Sequence, residues 1–379
     1  MRWRRRPWCG LLWRRPFWHG PPTGESTGSK PVLRVHRRAA LATASTALLA
    51  ACTALSACKR NDAAVETPER VVLYTSVDEA FARVVVDRYS ARTGAKVAVI
   101  FDSEAGKTTG FVNRIIAEGQ AGRPRGDVFF SSELFHTILL ARDGWLEPYD
   151  SPAAADVPGR FHDPQHRWTA LAVRARVIAF DPNRIGQQDL PTDWEALARP
   201  PFVSQTAIAN PLFGTTRGHV AAMFALWGGE RARAFLAALR DGEALIADSN
   251  SAAVRAILAG RIALAMTDTD DVWVARQAGA SLDLRYLDMG HGGTLLIPCS
   301  VAIIKGGPNP RAARSLTDYL VSVDVERMLA ESDSRNVPVR DALRKELNME
   351  WPPETPVDFD AVADSMDEAA TAVREILIR

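Results

Sequence analysis

The chain has 379 residues and a formal net charge of only +1, with 46 Lys and Arg residues against 45 Asp and Glu residues. This balance conceals two unlike parts. Residues 1–58 contain ten basic residues and one acidic residue, Glu25, which leaves 36 basic and 44 acidic residues in the remaining 321. A basic start ahead of an acidic remainder predicts a targeting segment followed by a separate folded part. An acidic folded part argues against a nucleic-acid-binding protein, and its length is typical of two domains.

The first segment has the pattern of a bacterial export signal. Arginines precede an apolar run of small residues at 39–51 that is too short to predict a transmembrane span. Two sites resemble a lipobox, in which a Leu and small residues precede a Cys that receives lipid, and they end at Cys52 and Cys58. We favour lipidation of Cys58, because charged residues follow it at once. Secretion with an unmodified Cys, or through a twin-arginine signal at 37–38, is the alternative.

The cysteine count limits the chemistry of the folded part. Beyond Cys58 the chain contains only Cys299. We therefore expect no intramolecular disulfide and no cysteine-based metal cluster in the folded part.

Short β-rich runs alternate with segments of helical spacing from residue 71 onward. The predicted strands of the first half are 71–75, 96–101 and 127–130, and the predicted helices are 78–92, 107–118 and 134–143. This alternation predicts a parallel sheet flanked by helices.

A second α/β set follows a long strand-like run at 168–179. Its predicted strands are 207–209, 245–247 and 262–266, and its predicted helices are 219–227, 230–239, 251–259 and 271–278. Another long apolar run at 293–304 predicts a return strand, and the segments 310–329 and 362–377 have helical spacing. Two α/β lobes joined by two long strands predict a hinge, with a ligand in the cleft at the carboxyl ends of the strands.

The ordered set of motifs resembles the extracellular solute-binding proteins of ABC importers, in particular the ferric-iron-type branch of the type II periplasmic binding fold. The matching stretches are 71–94, 101–118, 126–133, 144–152, 209–228, 259–271, 292–304 and 331–340. The resemblance implies an α/β fold of two lobes, each a mostly parallel sheet flanked by helices, with two crossing strands as the hinge. The expected organisation is an export segment at 1–58, a linker at 59–69, lobe 1 at 70–172 and 296–379, and lobe 2 at 173–295.

Polar residues at the predicted strand ends are the candidate ligand-binding residues. They are Ser76, Asp78, Ser103, Glu104, Thr108, Glu133, Thr215, Thr216, Asn250, Ser251, Asp268, Asp270 and Asp271. Hydroxyl groups and backbone N–H groups at helix starts suit an anion. Three acids within 268–271 exceed what a helix cap needs, which favours a contact between at least one of them and the ligand.

The resemblance also implies a metal site, although this sequence departs from the pattern of the family at one place. Iron-binding members commonly present two adjacent tyrosines in the second lobe, but the corresponding stretch here, 267–273, contains none. Carboxylates are also hard ligands, so Asp78, Glu133 and Asp270 are the candidate metal ligands.

Three functions remain as hypotheses. The first is a periplasmic, lipid-anchored and monomeric receptor that delivers ferric iron or another small ligand to an ABC permease in the inner membrane, with the iron as cargo and without a cofactor. The second is the same receptor for an aminophosphonate, such as 2-aminoethylphosphonate, or another zwitterion, whose ammonium would pair with the acids. A secreted hydrolase is the third, but residues 59–379 contain no Gly-x-Ser-x-Gly elbow, so we expect no enzyme.

Overall fold

The structure is a computed structural model that describes residues 69–101 and 108–378. The predicted export segment with both lipobox cysteines lies outside the described residues, as do nearly all of the linker and the candidate residues Ser103 and Glu104. Within the described residues, no helix is long and apolar enough to cross a membrane.

Strands and helices alternate along most of the chain. The strands are β1 (Arg70–Thr75), β2 (Lys96–Phe101), β3 (Val128–Ser131), β4 (Leu146–Glu147), β5 (Thr169–Phe180), β6 (Thr206–Ala209), β7 (Leu245–Ala247), β8 (Leu264–Asp268), β9 (Asp283–Arg285), β10 (Leu296–Ile304) and β11 (Val337–Pro338). The helices are α1 (Glu79–Thr93), α2 (Thr109–Gln120), α3 (Phe135–Arg142), α4 (Trp194–Leu197), α5 (Gly214–Trp227), α6 (Gly229–Asp241), α7 (Asn250–Leu258), α8 (Thr269–Gln277), α9 (Pro310–Leu320), α10 (Val323–Glu331), α11 (Asp341–Glu346), α12 (Phe359–Asp364) and α13 (Met366–Ile376).

The long strand β5 joins two groups of parallel strands. The strand order is β2-β1-β3-β10-β5-β8-β6-β7, in which β1, β2 and β3 are parallel, as are β6, β7 and β8. The first part of β5 pairs with β10 and β11, and its second part pairs with β8 and β9. The predicted α/β architecture with a crossing strand is therefore confirmed.

Alternate residues of the strands fill both faces of the sheet. Leu73 and Phe130 belong to one hydrophobic cluster, which α1, α9 and α10 cover. Their neighbours Tyr74 and Phe129 belong to a second cluster on the other face. That second cluster continues into the other strand group as far as Met266 of β8, so one apolar core supports both groups.

The C-terminal helices contact helices that follow both strand groups. Helix α12 packs against α3 and α5, and α13 packs against α5 and α6. Arg142 of α3 forms ion pairs with Asp360 and Asp364 of α12. The sequence analysis places residues 296–379 in lobe 1, and that boundary stays a prediction. The predicted helix at 310–329 is two helices, α9 and α10, that meet at 321–322.

Helices α3 and α5 approach each other so closely at Gly218 that only a glycine fits. A methyl group on Gly218 would lie 2.5 Å from the ring of Phe135. Replacing a helical Gly with Ala usually stabilises a protein by about 0.5–1 kcal/mol. Here we expect the opposite sign for Gly218→Ala, a loss of roughly 1–3 kcal/mol from overpacking, measured by urea denaturation.

The control for this prediction is the Phe135→Leu background. A smaller side chain leaves room for the new methyl group, so the penalty of Gly218→Ala should shrink in that background. An equal penalty in both backgrounds would show that this ring is not the obstacle.

Candidate ligand-binding cleft

A cleft opens at the carboxyl ends of the parallel strands. Its lining comes from the segments that follow β1, β3, β6, β7 and β8, together with Arg174 of β5. The candidate residues that line it are Asp78, Thr215, Thr216, Asn250, Asp268, Asp270 and Asp271. The sequence analysis expected a site at this edge, where the N-termini of α5, α7 and α8 also lie.

Asp268 is the centre of a buried hydrogen-bond network. Its carboxylate accepts from Nη1 of Arg176 at 2.8 Å, from the hydroxyl of Thr215 at 2.5 Å and from Nδ2 of Asn250 at 2.9 Å. Asp268 is 1% exposed and Arg176 is fully buried. The carboxylate therefore has a neutralising partner inside the protein, and it holds the first turns of α5 and α7 together.

Asp271 stabilises the start of α8. Its carboxylate accepts from the hydroxyl of Thr267 at 2.8 Å and from the backbone N–H of Asp268 at 3.4 Å, which forms one side of a capping box. Part of the acidity at 268–271 is thus explained by the helix cap.

Asp270 forms an ion pair with a second arginine. Nη1 of Arg174 lies 2.7 Å from the Asp270 carboxylate, and Nη2 lies 3.2 Å from Sγ of the buried Cys299. Burial opposes the charge of Arg174, but Asp270 and the neighbouring carboxylates Asp268 and Asp78 raise its pKa well above the usual value. Burial also raises the pKa of the Cys299 thiol.

The charges around the cleft leave it acidic. Carboxylates from Asp78, Asp248, Asp268, Asp270 and Asp271 line it, and the guanidinium groups of Arg174 and Arg176 oppose them. Among the residues that the structure describes, five carboxylates against two guanidinium groups give a formal charge of −3. Oxygen atoms of Asp268, Asp270 and Asp271 all lie within 4.8 Å of one another.

A chain of hydroxyl groups forms the wall at the end of β1 and β3. Ser76 accepts from the Thr108 hydroxyl at 3.0 Å and from the backbone N–H of Ser132 at 2.9 Å, and its oxygen lies 3.2 Å from the Ser132 hydroxyl. Ser132 lines the cleft, whereas Ser76 and Thr108 are buried behind it. The half-buried Asp78 also lines this wall.

Two other candidates lie away from the lining. The fully buried Glu133 accepts from the backbone N–H of Phe135 at 2.8 Å, and its other oxygen lies 2.6 Å from Nδ1 of His136. Its carboxylate therefore caps α3. The Ser251 hydroxyl lies 3.0 Å from that of Ser249, which caps α7 by accepting from the N–H of Ala252.

Several residues of the lining were not among the candidates predicted from the sequence. They are Ser132, Arg174, Ala209, Asn210, Phe213, Gly214, Asp248 and Ser249. A signal for Arg174 was present, because two arginines interrupt the apolar run 169–180 two residues apart and therefore lie on the same face of one strand. For Asn210 and Asp248 the signal was only their place directly after a strand.

The sequence of this chain is similar to a known protein family and to several individual proteins. The bacterial extracellular solute-binding protein family matches residues 126–361. The major ferric iron-binding protein of Neisseria meningitidis serogroup A is 25% identical over 266 residues, which cover 68% of this chain and 78% of that protein. A probable ABC transporter periplasmic-binding protein of Sinorhizobium fredii is 25% identical over 275 residues, which cover 67% and 73%.

Solved structures share the fold at lower sequence identity. Iron-bound HitA from Pseudomonas aeruginosa superimposes with a TM-score of 0.69 at 21% identity, over 82% of this chain and all of HitA. The periplasmic binding protein AfuA from Actinobacillus pleuropneumoniae, with fructose-6-phosphate bound, gives a TM-score of 0.70 at 19% identity over 82% and 99%. One fold therefore serves both an iron-bound and a sugar-phosphate-bound protein.

His219 makes the stability of the protein sensitive to acid. It is fully buried, its Nδ1 accepts from Nε of Arg176 at 3.2 Å, and burial together with the charge of Arg176 holds its pKa well below 6.5. The folded state therefore binds fewer protons than the unfolded state as the pH falls below about 6.5. We expect the free energy of unfolding to fall there by up to about 1.4 kcal/mol per pH unit from this residue.

Urea denaturation between pH 5 and pH 8 measures this effect. His219→Gln should flatten the loss of stability on the acid side, whereas His291→Gln, at an exposed position, should leave it unchanged. An unaltered pH profile in His219→Gln would contradict the assignment.

Proposed function

The chain belongs to the bacterial extracellular solute-binding proteins, and from that membership we propose that it is the receptor component of an ABC importer. It captures a small solute in the cleft and delivers it to the permease. The protein is exported, lipid-anchored through Cys58 or Cys52, and active as a monomer in the periplasm. Its relatives are binding proteins, and we propose a binding role without catalysis here too.

The arrangement around β5 supports a hinged receptor. This strand pairs with β8 of one strand group and is connected through β10 to β3 of the other, and the cleft lies where the carboxyl ends of the two groups meet. In the proposed organisation, 70–172 and 296–379 form one lobe and 173–295 the other, and the lobes close on the solute. The C-terminal helices contact α3 of the first proposed lobe and α5 and α6 of the second, so they span the boundary between the two.

We propose that the bound solute is a zwitterion, and that an aminophosphonate is a representative example. The single observation behind this choice is that arginines already neutralise two of the acids that a metal would use, Asp268 through Arg176 and Asp270 through Arg174. None of the five tyrosines of the chain lines the cleft. Ferric iron would therefore have to displace two internal ion pairs, of which one is fully buried.

The two ends of a zwitterion have matching groups in the cleft. Backbone N–H groups at the starts of α5 and α7 suit the anionic end. Nε of Arg174 is buried without a hydrogen-bond partner among the described residues, and an oxyanion could accept from it. The cationic end would face the excess of carboxylates, with Asp78 on one wall and the exposed Asp248 on the other.

Ferric iron or another hard cation is the second candidate. The cluster of Asp268, Asp270 and Asp271 brings three carboxylate oxygens within 4.8 Å, and the relatives include major ferric iron-binding proteins. In this case the iron is cargo, and a bound anion at the helix starts would complete its coordination.

Thermal shift measurements on the purified exported protein separate the two candidates. The test solutes are 2-aminoethylphosphonate and ferric citrate. A solute at 100 times its dissociation constant should stabilise the protein by about 2.7 kcal/mol. We expect this shift with the phosphonate, and a shift with ferric citrate alone would favour iron instead. A shift with neither would contradict both ligand proposals.

A matched pair of variants tests the carboxylate wall. Asp78→Asn removes a negative charge from the cleft and should weaken binding of 2-aminoethylphosphonate on the order of tenfold, because hydrogen bonds to charged groups are worth about 1.5–3 kcal/mol. Asp87→Asn removes the same charge from the exposed face of α1, away from the lining, and should have no effect. Equal affinities in all three proteins, measured by isothermal titration calorimetry, would place the ammonium elsewhere.

A further inference from the structure

The two arginines of β5 pair with their carboxylates in different surroundings. Arg176 is fully buried, and besides its ion pair with Asp268 it donates from Nε to Nδ1 of His219 at 3.2 Å. Arg174 lines the cleft, and Nη1 of its guanidinium group lies 2.7 Å from the carboxylate of Asp270. A solute in the cleft therefore meets the guanidinium group of Arg174 and not that of Arg176.

Arg174 has fewer hydrogen-bond acceptors than its buried guanidinium group can use. It is 8% exposed, and among the described residues it donates only to Asp270 and to Sγ of Cys299, which is a weak acceptor. Its Nε is buried and has no hydrogen-bond partner among these residues. Buried polar groups are nearly always hydrogen-bonded in native proteins, so an unsatisfied donor at the lining of a cleft indicates an acceptor that arrives with the solute.

The carboxylates around Arg174 limit which solute can supply that acceptor. Burial opposes the charge of Arg174, but Asp270, Asp268 and Asp78 raise its pKa well above the usual value. These carboxylates repel a solute that carries only negative charge, and Arg174 repels one that carries only positive charge. A zwitterion carries both charges, so its anionic end can replace Asp270 at Arg174 while its cationic end replaces Arg174 at Asp270.

Such an exchange avoids the main cost of opening a buried ion pair. Removing one partner of a buried pair without replacement is strongly unfavourable. When a zwitterion enters, each of the two side chains exchanges one partner for another of the same charge. A metal ion would replace only the partner of Asp270, and a simple anion only the partner of Arg174.

We propose that Arg174 and Asp270 form an exchangeable ion pair that makes the cleft select zwitterionic solutes. The oxyanion of the solute accepts from Arg174, and its ammonium donates to Asp270. The pair between Arg176 and Asp268 stays closed and keeps β5 and β8 together. This inference rests on the proposed zwitterionic ligand, and it adds the residues that recognise its two ends.

Two phosphonates that differ only in the ammonium group test the exchange on the purified exported protein. They are 2-aminoethylphosphonate and ethylphosphonate, and their affinities are compared by isothermal titration calorimetry. Ethylphosphonate gives Asp270 no cation in exchange for the guanidinium group, so we expect it to bind on the order of tenfold more weakly. Equal affinities would overturn the inference. Binding of neither phosphonate would overturn both the inference and the zwitterion as the ligand.

Asp270→Asn separates the exchange from a merely structural role of Asp270. No ion pair has to open in this variant before a phosphonate reaches Arg174, so the affinity for ethylphosphonate should rise on the order of tenfold. The affinity for 2-aminoethylphosphonate should change little, because the variant loses a contact with the ammonium but no longer has an ion pair that opposes binding. Affinities that both fall equally, or that both stay unchanged, would overturn the exchange while leaving the zwitterion receptor intact.

Asp248→Asn is the matched control for the charge of the cleft. Asp248 lines the cleft at an exposed position and forms no ion pair with an arginine among the described residues. Its substitution removes the same charge without opening a pair, so it should weaken binding of 2-aminoethylphosphonate and leave that of ethylphosphonate nearly unchanged. An equal gain in ethylphosphonate affinity in both variants would show that only the charge of the cleft matters, and would overturn the exchange.

A magnetic resonance measurement on the unsubstituted protein keeps the test decisive if Asp270→Asn does not fold. That variant removes a counter-charge from a buried arginine, and circular dichroism establishes whether it folds. The Nε–H resonance of Arg174, assigned by its loss in Arg174→Lys, should shift when 2-aminoethylphosphonate saturates the protein, because Nε gains an acceptor. An unshifted resonance at saturation would overturn the inference.

Discussion

The ion pair between Arg176 and Asp268 connects the strands and helices whose relative positions form the cleft. The two residues are directly opposite each other on the antiparallel strands β5 and β8, and both are buried. Asp268 also holds the first turn of α5 through Thr215 and that of α7 through Asn250. Removing one partner of such a pair costs about 3–5 kcal/mol, because the other charge stays buried alone.

The same strand supplies the second counter-charge. Arg174 lies two residues before Arg176 on β5 and pairs with Asp270 at the start of α8. Residues two apart project from the same face of a strand, so one strand brings both guanidinium groups under the acidic segment. Since the first part of β5 pairs with β10 and the second with β8, these two ion pairs lie where the strand passes from one group to the other. The two ion pairs of the site therefore lie on the same strand that joins the two strand groups.

Sequence reasoning was sufficient for the architecture because each strand and helix carries its own periodicity. The positions of β1, β2, β7 and the crossing strand follow the apolar runs closely, and the strand ends border the cleft. Partners of the acids could not be predicted, because the pairing of Arg176 with Asp268 depends on the register of two strands that are 92 residues apart in sequence. Glu133 shows the same limit, since its place after β3 is compatible both with the cleft and with the inward cap that it forms with His136.

The acidity of the folded part has two different consequences at the site. At Asp268 and Asp270 the charge is balanced by arginines, and Asp268 also accepts hydrogen bonds from Thr215 and Asn250. At Asp78 and Asp248 the carboxylates line the cleft at more accessible positions. A count of acids alone would favour a cation as the ligand, whereas the pairing of Asp268 and Asp270 with arginines favours a solute that also has an anionic end for the helix starts. The acid cluster therefore affects where the positive and negative ends of the solute lie more than it affects the net charge of the solute.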